Sequence, residues 1–143
     1  MNLAIYNWNL LEKYFSNLSF PKNMLIDVLK KEFSTFKIDS LNIVFTTKKH
    51  IKELNKEFRQ IDETTDVLSF LLSEKPREGE IYICSECAVE KDEKEILRLI
   101  VHGCLHVLGY KHKGYFKEES KEKEIMFVKQ EEILENICSN LNI

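Results

Sequence analysis

The feature that most constrains this chain is one short stretch: His102-Gly103-Cys104-Leu105-His106-Val107-Leu108-Gly109-Tyr110-Lys111-His112. His102 and His106 are four residues apart, so on a helix their rings project one above the other from the same face. Gly109 can adopt the left-handed conformation that ends a helix, which would turn His112 back toward the same point. The stretch therefore requires a helix, a stop and a reversal in that order. Glycine is otherwise scarce. The chain has four, where average usage of about 7% gives roughly ten, and three of them (Gly103, Gly109, Gly114) fall in or just beyond this stretch. With only two prolines as well, the sequence favours long helices joined by short connections.

The spacing H-x3-H-x2-G-x2-H is that of the metzincin zinc site. Three neutral imidazoles, His102, His106 and His112, would leave a fourth tetrahedral position for water, the pattern of a catalytic rather than a structural zinc. One Zn2+ per chain is the expectation, although nickel, copper or iron suit the same donors. In H-E-x-x-H peptidases a glutamate follows the first histidine and activates water; here Gly103 holds that position, so peptidase chemistry is set aside. A second metal pattern competes. Cys84-x2-Cys87, followed after fourteen residues by His102-x3-His106, fits a zinc-finger spacing. That arrangement would give His112 and Gly109 no role and would present an acidic helix start (Asp92, Glu93, Glu95) to DNA.

The rest of the chain reads as alternating strands and helices. Strands are expected over residues 2–8, Leu41 to Thr46, Val67 to Leu71 and Glu80 to Cys84. Helices are expected from Pro21 to about Phe33, from Thr47 as cap to about Arg59 with Ile51, Leu54 and Phe58 as its apolar stripe, from about Asp92 to Leu108, and from about Glu118 to Ile137. The last should bury Met126, Ile133, Leu134 and Ile137. Val67 to Leu71 is apolar on both faces, which predicts a central strand, and Ser73 to Gly79 reads as a loop. At 143 residues, 43% hydrophobic and 31% charged, the chain suits one α+β domain over 1–143, a small mixed sheet of about four strands flanked by helices, with the zinc site on a helix and the turn after it.

A net charge of −3 argues against a broad nucleic-acid-coating face. No run is long and apolar enough for a membrane span, and the N-terminus lacks the pattern of a signal peptide, so a cytoplasmic location is expected. Cys84, Cys87, Cys104 and Cys138 then read as reduced thiols, ligands or small buried hydrophobes rather than a disulfide framework. Arg59, where a helix ends and a strand approaches, could grip a phosphate bidentately beside the metal; it could equally be a surface arginine at a helix C-terminus.

Leu54-Asn55, Phe58-Arg59, Asp62, Thr65-Asp66-Val67-Leu68-Ser69-Phe70, Gly79-Glu80-Ile81, the histidine stretch, and Met126 with Glu132-Ile133-Leu134 together resemble the YbeY family of bacterial rRNA maturation factors. The match runs in order over about residues 40 to 135. The resemblance implies a zinc-dependent, single-strand-specific endoribonuclease acting in 16S rRNA 3′-end maturation and ribosome quality control. It implies His102, His106 and His112 as metal ligands, Arg59 as the catalytic arginine of the cleft, and a mixed sheet flanked by helices. Single-stranded rRNA, the ribosomal small subunit and an assembly GTPase are the implied partners, with neither membrane nor DNA. Against the family pattern, Lys111 stands where aspartate usually precedes the third histidine, Thr64 and Leu71 replace prolines, and the Cys84/Cys87 pair is no family signature. A non-catalytic, zinc-stabilised ribosome-assembly factor is the alternative.

Overall fold

The computed structural model describes residues 1–110 and 117–143, with side chains described outside 111–124. Among these residues the chain forms β1 (Asn2–Tyr6), α1 (Trp8–Tyr14), α2 (Lys22–Glu32), β2 (Ser40–Thr46), α3 (Lys48–Arg59), β3 (Val67–Glu74), β4 (Arg77–Cys84), α4 (Glu93–Val107) and α5 (Lys117–Leu141). The strands make one mixed sheet in the order β1-β2-β4-β3. β1, β2 and β4 run parallel, and β3 pairs antiparallel with β4. This is the expected α+β layer with its small mixed sheet.

Local chemistry explains most boundaries. Thr47 caps α3 by accepting from the His50 N–H at 3.3 Å, and Asp92 caps α4 by accepting from Glu95 N–H at 3.2 Å, each filling an otherwise orphaned donor of the first turn. α4 is the central helix of the core. Ile96, Leu97, Ile100, Val101, Cys104 and Leu105 are all buried, against β-sheet residues such as Ile43, Phe45, Ile81 and Ile83 and against Met126, Ile133, Leu134 and Ile137 of α5. The four α5 residues are the ones the sequence pattern selects. Gly103 shows how closely α4 lies on the sheet: a Cβ there would stand 2.7 Å from Cγ2 of Ile81.

Four expectations are corrected. The strand of residues 2–8 stops at Tyr6, because Asn7 turns into a left-handed conformation (φ 61°) and opens α1. Its side-chain amide donates to the Phe45 carbonyl at 3.2 Å, holding that turn to β2. β3 is an edge strand, not a central one. It is apolar on both faces because Leu68 and Phe70 pack toward α3, while Val67 and Leu71 line a cleft on the other side. Strand position is fixed by backbone pairing, and side-chain cover can come from helices on both faces. The supposed loop Ser73 to Gly79 is the tip of a β3–β4 hairpin around a cis Lys75–Pro76 bond, with Gly79 inside β4. Finally, Phe58 is 57% exposed; it leaves the α3 stripe to pack edge-on against Phe70, ring centroids 5.5 Å apart.

Candidate active site

α4 ends in a complete Schellman motif. Gly109 takes φ 104°, the Gly109 N–H donates to the His106 carbonyl at 3.0 Å, and the Tyr110 N–H donates to the Leu105 carbonyl at 3.0 Å. These bonds satisfy the last carbonyls of the helix. They also swing the Tyr110 carbonyl back over the helix end, where His106 Nδ1 meets it at 2.9 Å. A carbonyl oxygen only accepts, so His106 carries its proton on Nδ1.

The same assignment follows for His102 by a longer route. Its Nδ1 lies 2.7 Å from Oε1 of Gln130 on α5. The orientation of that amide is set because its Nε2 donates to Glu131 Oε2 at 3.2 Å, and a carboxylate cannot donate. Glu131 is in turn held by Arg98 through two bonds, Nε to Oε2 and Nη2 to Oε1, both 3.1 Å, and Arg98 Nη1 reaches Glu95 at 2.7 Å. The chain Glu95–Arg98–Glu131–Gln130–His102 thus spans α4 and α5. Arg98 hydrogen bonding holds the Glu131 carboxyl below the usual range, and Glu131 holds the Arg98 guanidinium above its own.

With both protons on Nδ1, each Nε2 presents a lone pair, and the two Nε2 atoms converge to 3.1 Å with ring centroids 4.6 Å apart. Two nitrogens on one tetrahedral zinc at about 2.05 Å would lie about 3.3 Å apart. The described donors therefore fit an ion shared by His102 and His106, with outer partners of the kind that orient ligating imidazoles. His112 and Lys111 lie outside the described residues. Among the described residues no group of three or more His, Cys, Asp or Glu side chains is placed to hold a metal. Cys84 and Cys87 therefore do not join His102 and His106, and the zinc-finger arrangement is not formed. The two cysteines, expected as separate thiols, are instead joined as a disulfide, because the turn after β4 brings their Cα atoms to 5.2 Å.

The imidazoles open into a cleft of about 910 Å³ between the β3 edge and the α4–α5 pair. Arg59, Thr65, Asp66, Ser69, His102 and His106 share its lining, so the structure brings Arg59 and the histidine pair to one groove across more than forty residues of sequence. Arg59 is the last residue of α3. Gln60 follows in the left-handed region (φ 58°), and buried Asn55 donates to the Glu63 carbonyl at 3.0 Å, tying down the segment that enters β3. Two arginines line the cleft. Arg98 is neutralised by its two carboxylates, whereas exposed Arg59 has no ion pair among the described residues. Gly103 closes the peptidase question from a second side: a glutamate there would collide with Ile81.

Gln130 and the Arg98 clamp were not singled out from the sequence, and Asn55 and Tyr110 entered only within motifs, with no role of their own. One signal existed, since Gln130 is a polar residue four after Met126 in the buried row of α5. Tyr110 acts through its carbonyl, which any residue would supply.

Fold and cleft define a class of protein: a small α+β domain presenting a helix-borne imidazole pair and an exposed arginine to one groove. A family model described as endoribonuclease YbeY matches residues 13–138. The endoribonuclease YbeY of Thermotoga petrophila is 39% identical over 123 residues, 81% of this chain and 77% of that protein. That of Persephonella marina is 35% identical over 145 residues, 91% of this chain and 92% of the relative. The solution structure of TM1509 from Thermotoga maritima matches with a TM-score of 0.59 at 34% identity, covering 98% of this chain and 91% of that one. The chain belongs to the endoribonuclease YbeY family.

Proposed function

We propose that this protein is a zinc-dependent endoribonuclease that cleaves single-stranded RNA in rRNA processing, including 16S rRNA 3′-end maturation and ribosome quality control, in the cytoplasm. The observation that carries the reading is the placement of Arg59 in the same groove as the converging Nε2 atoms of His102 and His106. The names of the relatives supply the substrate class. The ribosomal small subunit and an assembly GTPase are the proposed partners, by family.

His102 and His106 hold the ion, with His112 as third ligand on the strength of its spacing. Bound zinc supplies Lewis-acid chemistry toward a phosphate oxygen or a water. The protein's own residues do the remainder. Gln130 and the Tyr110 carbonyl accept from the two Nδ1–H groups and so hold both rings with Nε2 directed into the groove. The Arg59 guanidinium engages two non-bridging oxygens of the scissile phosphate and stabilises the charge that builds there in the transition state. Unpaired RNA can bend its backbone into a groove at a sheet edge, whereas a stiff duplex buries its phosphates less readily, which gives the strand preference. With an overall charge of −3, affinity rests on this local site and on ribosomal context.

The test combines metal analysis with cleavage of a labelled single-stranded RNA by pure protein. Wild type should carry about one zinc per chain and cut the single strand but not its duplex. His106→Ala should lose both metal and activity. Arg59→Ala should keep zinc and fold while losing roughly 100- to 1,000-fold in kcat, as for removal of one transition-state donor. Cleavage by wild type no greater than by His106→Ala would overturn the enzymatic reading in favour of a non-catalytic assembly role.

A further inference from the structure

Cys84 and Cys87 contribute to neither the metal pair nor the main core. Cys84 closes β4 and is fully buried beside Ile51 and Leu68, while Cys87 lies in the following turn and is partly exposed. Their Cα separation of 5.2 Å is within the range that two cysteines bridge without moving the backbone. The pair also abuts the segment entering β3. The Cys84 N–H donates to the Asp66 carbonyl at 2.9 Å, and Cys87 Sγ stands 3.7 Å from the Thr65 carbonyl and 4.0 Å from Thr64 Oγ1. Thr65 and Asp66 line the cleft. The Cys87 N–H points at Cys84 Sγ at 3.1 Å, so the turn backbone holds the two sulfurs side by side. Cys104 and Cys138, by contrast, are buried separately, and burial pushes both thiols up and makes them unreactive.

We propose that Cys84 and Cys87 form a reversible thiol–disulfide site that exchanges with low-molecular-weight disulfides, and that its state is passed to the Thr65–Asp66 wall of the cleft. Partly exposed Cys87, as thiolate, attacks one sulfur of the small disulfide RS–SR, forming a mixed disulfide and releasing one thiol. Cys84, as thiolate, then attacks Cys87 Sγ and displaces the second thiol. Two protein thiols are oxidised by two electrons, and RS–SR is reduced to two RSH. The dithiol has a Cys87 S–H to donate to the Thr65 carbonyl. The disulfide has none, so oxidation removes one tie on the cleft wall.

The full chain, equilibrated in glutathione buffers from reducing to oxidising and quenched with an alkylating agent, should pass from four free thiols to two. Peptide mass analysis should place the loss at Cys84 and Cys87, and dithiothreitol should restore it. Cys104 and Cys138 are internal controls that react only after unfolding. Cys87→Ser, at the more exposed position, should keep the fold and abolish the transition even where Cys84→Ser fails to fold. Amide NMR resonances of Thr65 and Asp66 should shift on oxidation while those of Leu3 to Ile5 stay fixed. Thiols that remain reduced throughout, or a bridge that dithiothreitol does not open, would overturn the exchange site. Oxidation without a local shift at Thr65 and Asp66 would overturn its link to the cleft. Neither readout involves RNA or zinc, so both stand apart from the proposed activity.

Discussion

At the scale of the residue, the groove is governed by where a few protons sit. The Tyr110 carbonyl fixes one imidazole and the Gln130 amide the other, and only with both protons on Nδ1 could the two Nε2 atoms serve together as the proposed ligands. Gln130→Leu removes the acceptor while roughly keeping the volume, and should weaken zinc affinity by about 10- to 100-fold, the usual effect of losing such a partner. Gln130→Glu retains an acceptor and should recover most of it. Competition against a chromophoric chelator reads the difference without any RNA. Affinity unchanged in the leucine variant would mean that the ring is oriented by other contacts. The convergence of the two imidazoles was itself legible in the sequence, because an i, i+4 spacing and a glycine stop are local properties. Gln130 was not, because its partner lies twenty-eight residues away and nothing in the α5 sequence states which helix it faces.

At the scale of the element, the end of α4 does two jobs. Its Schellman turn closes the helix and aims the Tyr110 carbonyl, and both depend on the positive φ of Gly109. Gly109→Ala meets no steric neighbour within 4 Å, so its cost is conformational, about 1 kcal/mol. It should lower urea-unfolding stability by that amount and weaken zinc binding as well, since the carbonyl moves with the turn. The α4–α5 clamp carries a pH dependence. The Glu131 carboxyl is held below its ordinary value by Arg98, so its contribution is present above that ordinary value and is lost as pH falls through the depressed one. For a partly exposed pair this amounts to about 0.5–1 kcal/mol. The stability gap between wild type and Glu131→Gln should therefore be widest near neutrality and narrow as the pH falls below the ordinary carboxylate range. A gap that persists in acid would refute the clamp as its source. Element boundaries were largely readable, since Thr47 and Asp92 are strong caps. The exceptions were the β3–β4 hairpin, whose ends were read as loop, and α1, whose start depends on Asn7 reaching the Phe45 carbonyl across the sheet.

At the scale of the whole molecule, the core and the groove are separate constructions. Among the described residues, twenty-eight buried hydrophobic side chains form the main cluster. A core of that size should hold the fold without an ion. Chelation should leave a cooperatively folded protein whose melting temperature falls by roughly 5–15 °C, the size of a ligand-linkage effect rather than of unfolding. Loss of the near-UV circular dichroism signal on chelation would instead assign the ion a structural role. The groove exists because β3 is an edge strand: its Val67 and Leu71 side chains line one wall and α4 the other. The sequence suggested a central strand there, since apolar residues on both faces look alike whether a second strand or a helix covers them.

By itself, the sequence determined which residues had to be near one another within a turn or two: the histidine pair, the caps, the buried stripe of α5. These follow from periodicity and backbone preference, which act over a few residues. The tertiary structure alone decided that Arg59 and the histidines share one groove, that Cys84 and Cys87 stand against the cleft wall, and that Gly103 is required by Ile81. Those are contacts between distant parts of the chain, fixed by how closely a helix packs on a sheet and by which strand is left at its edge.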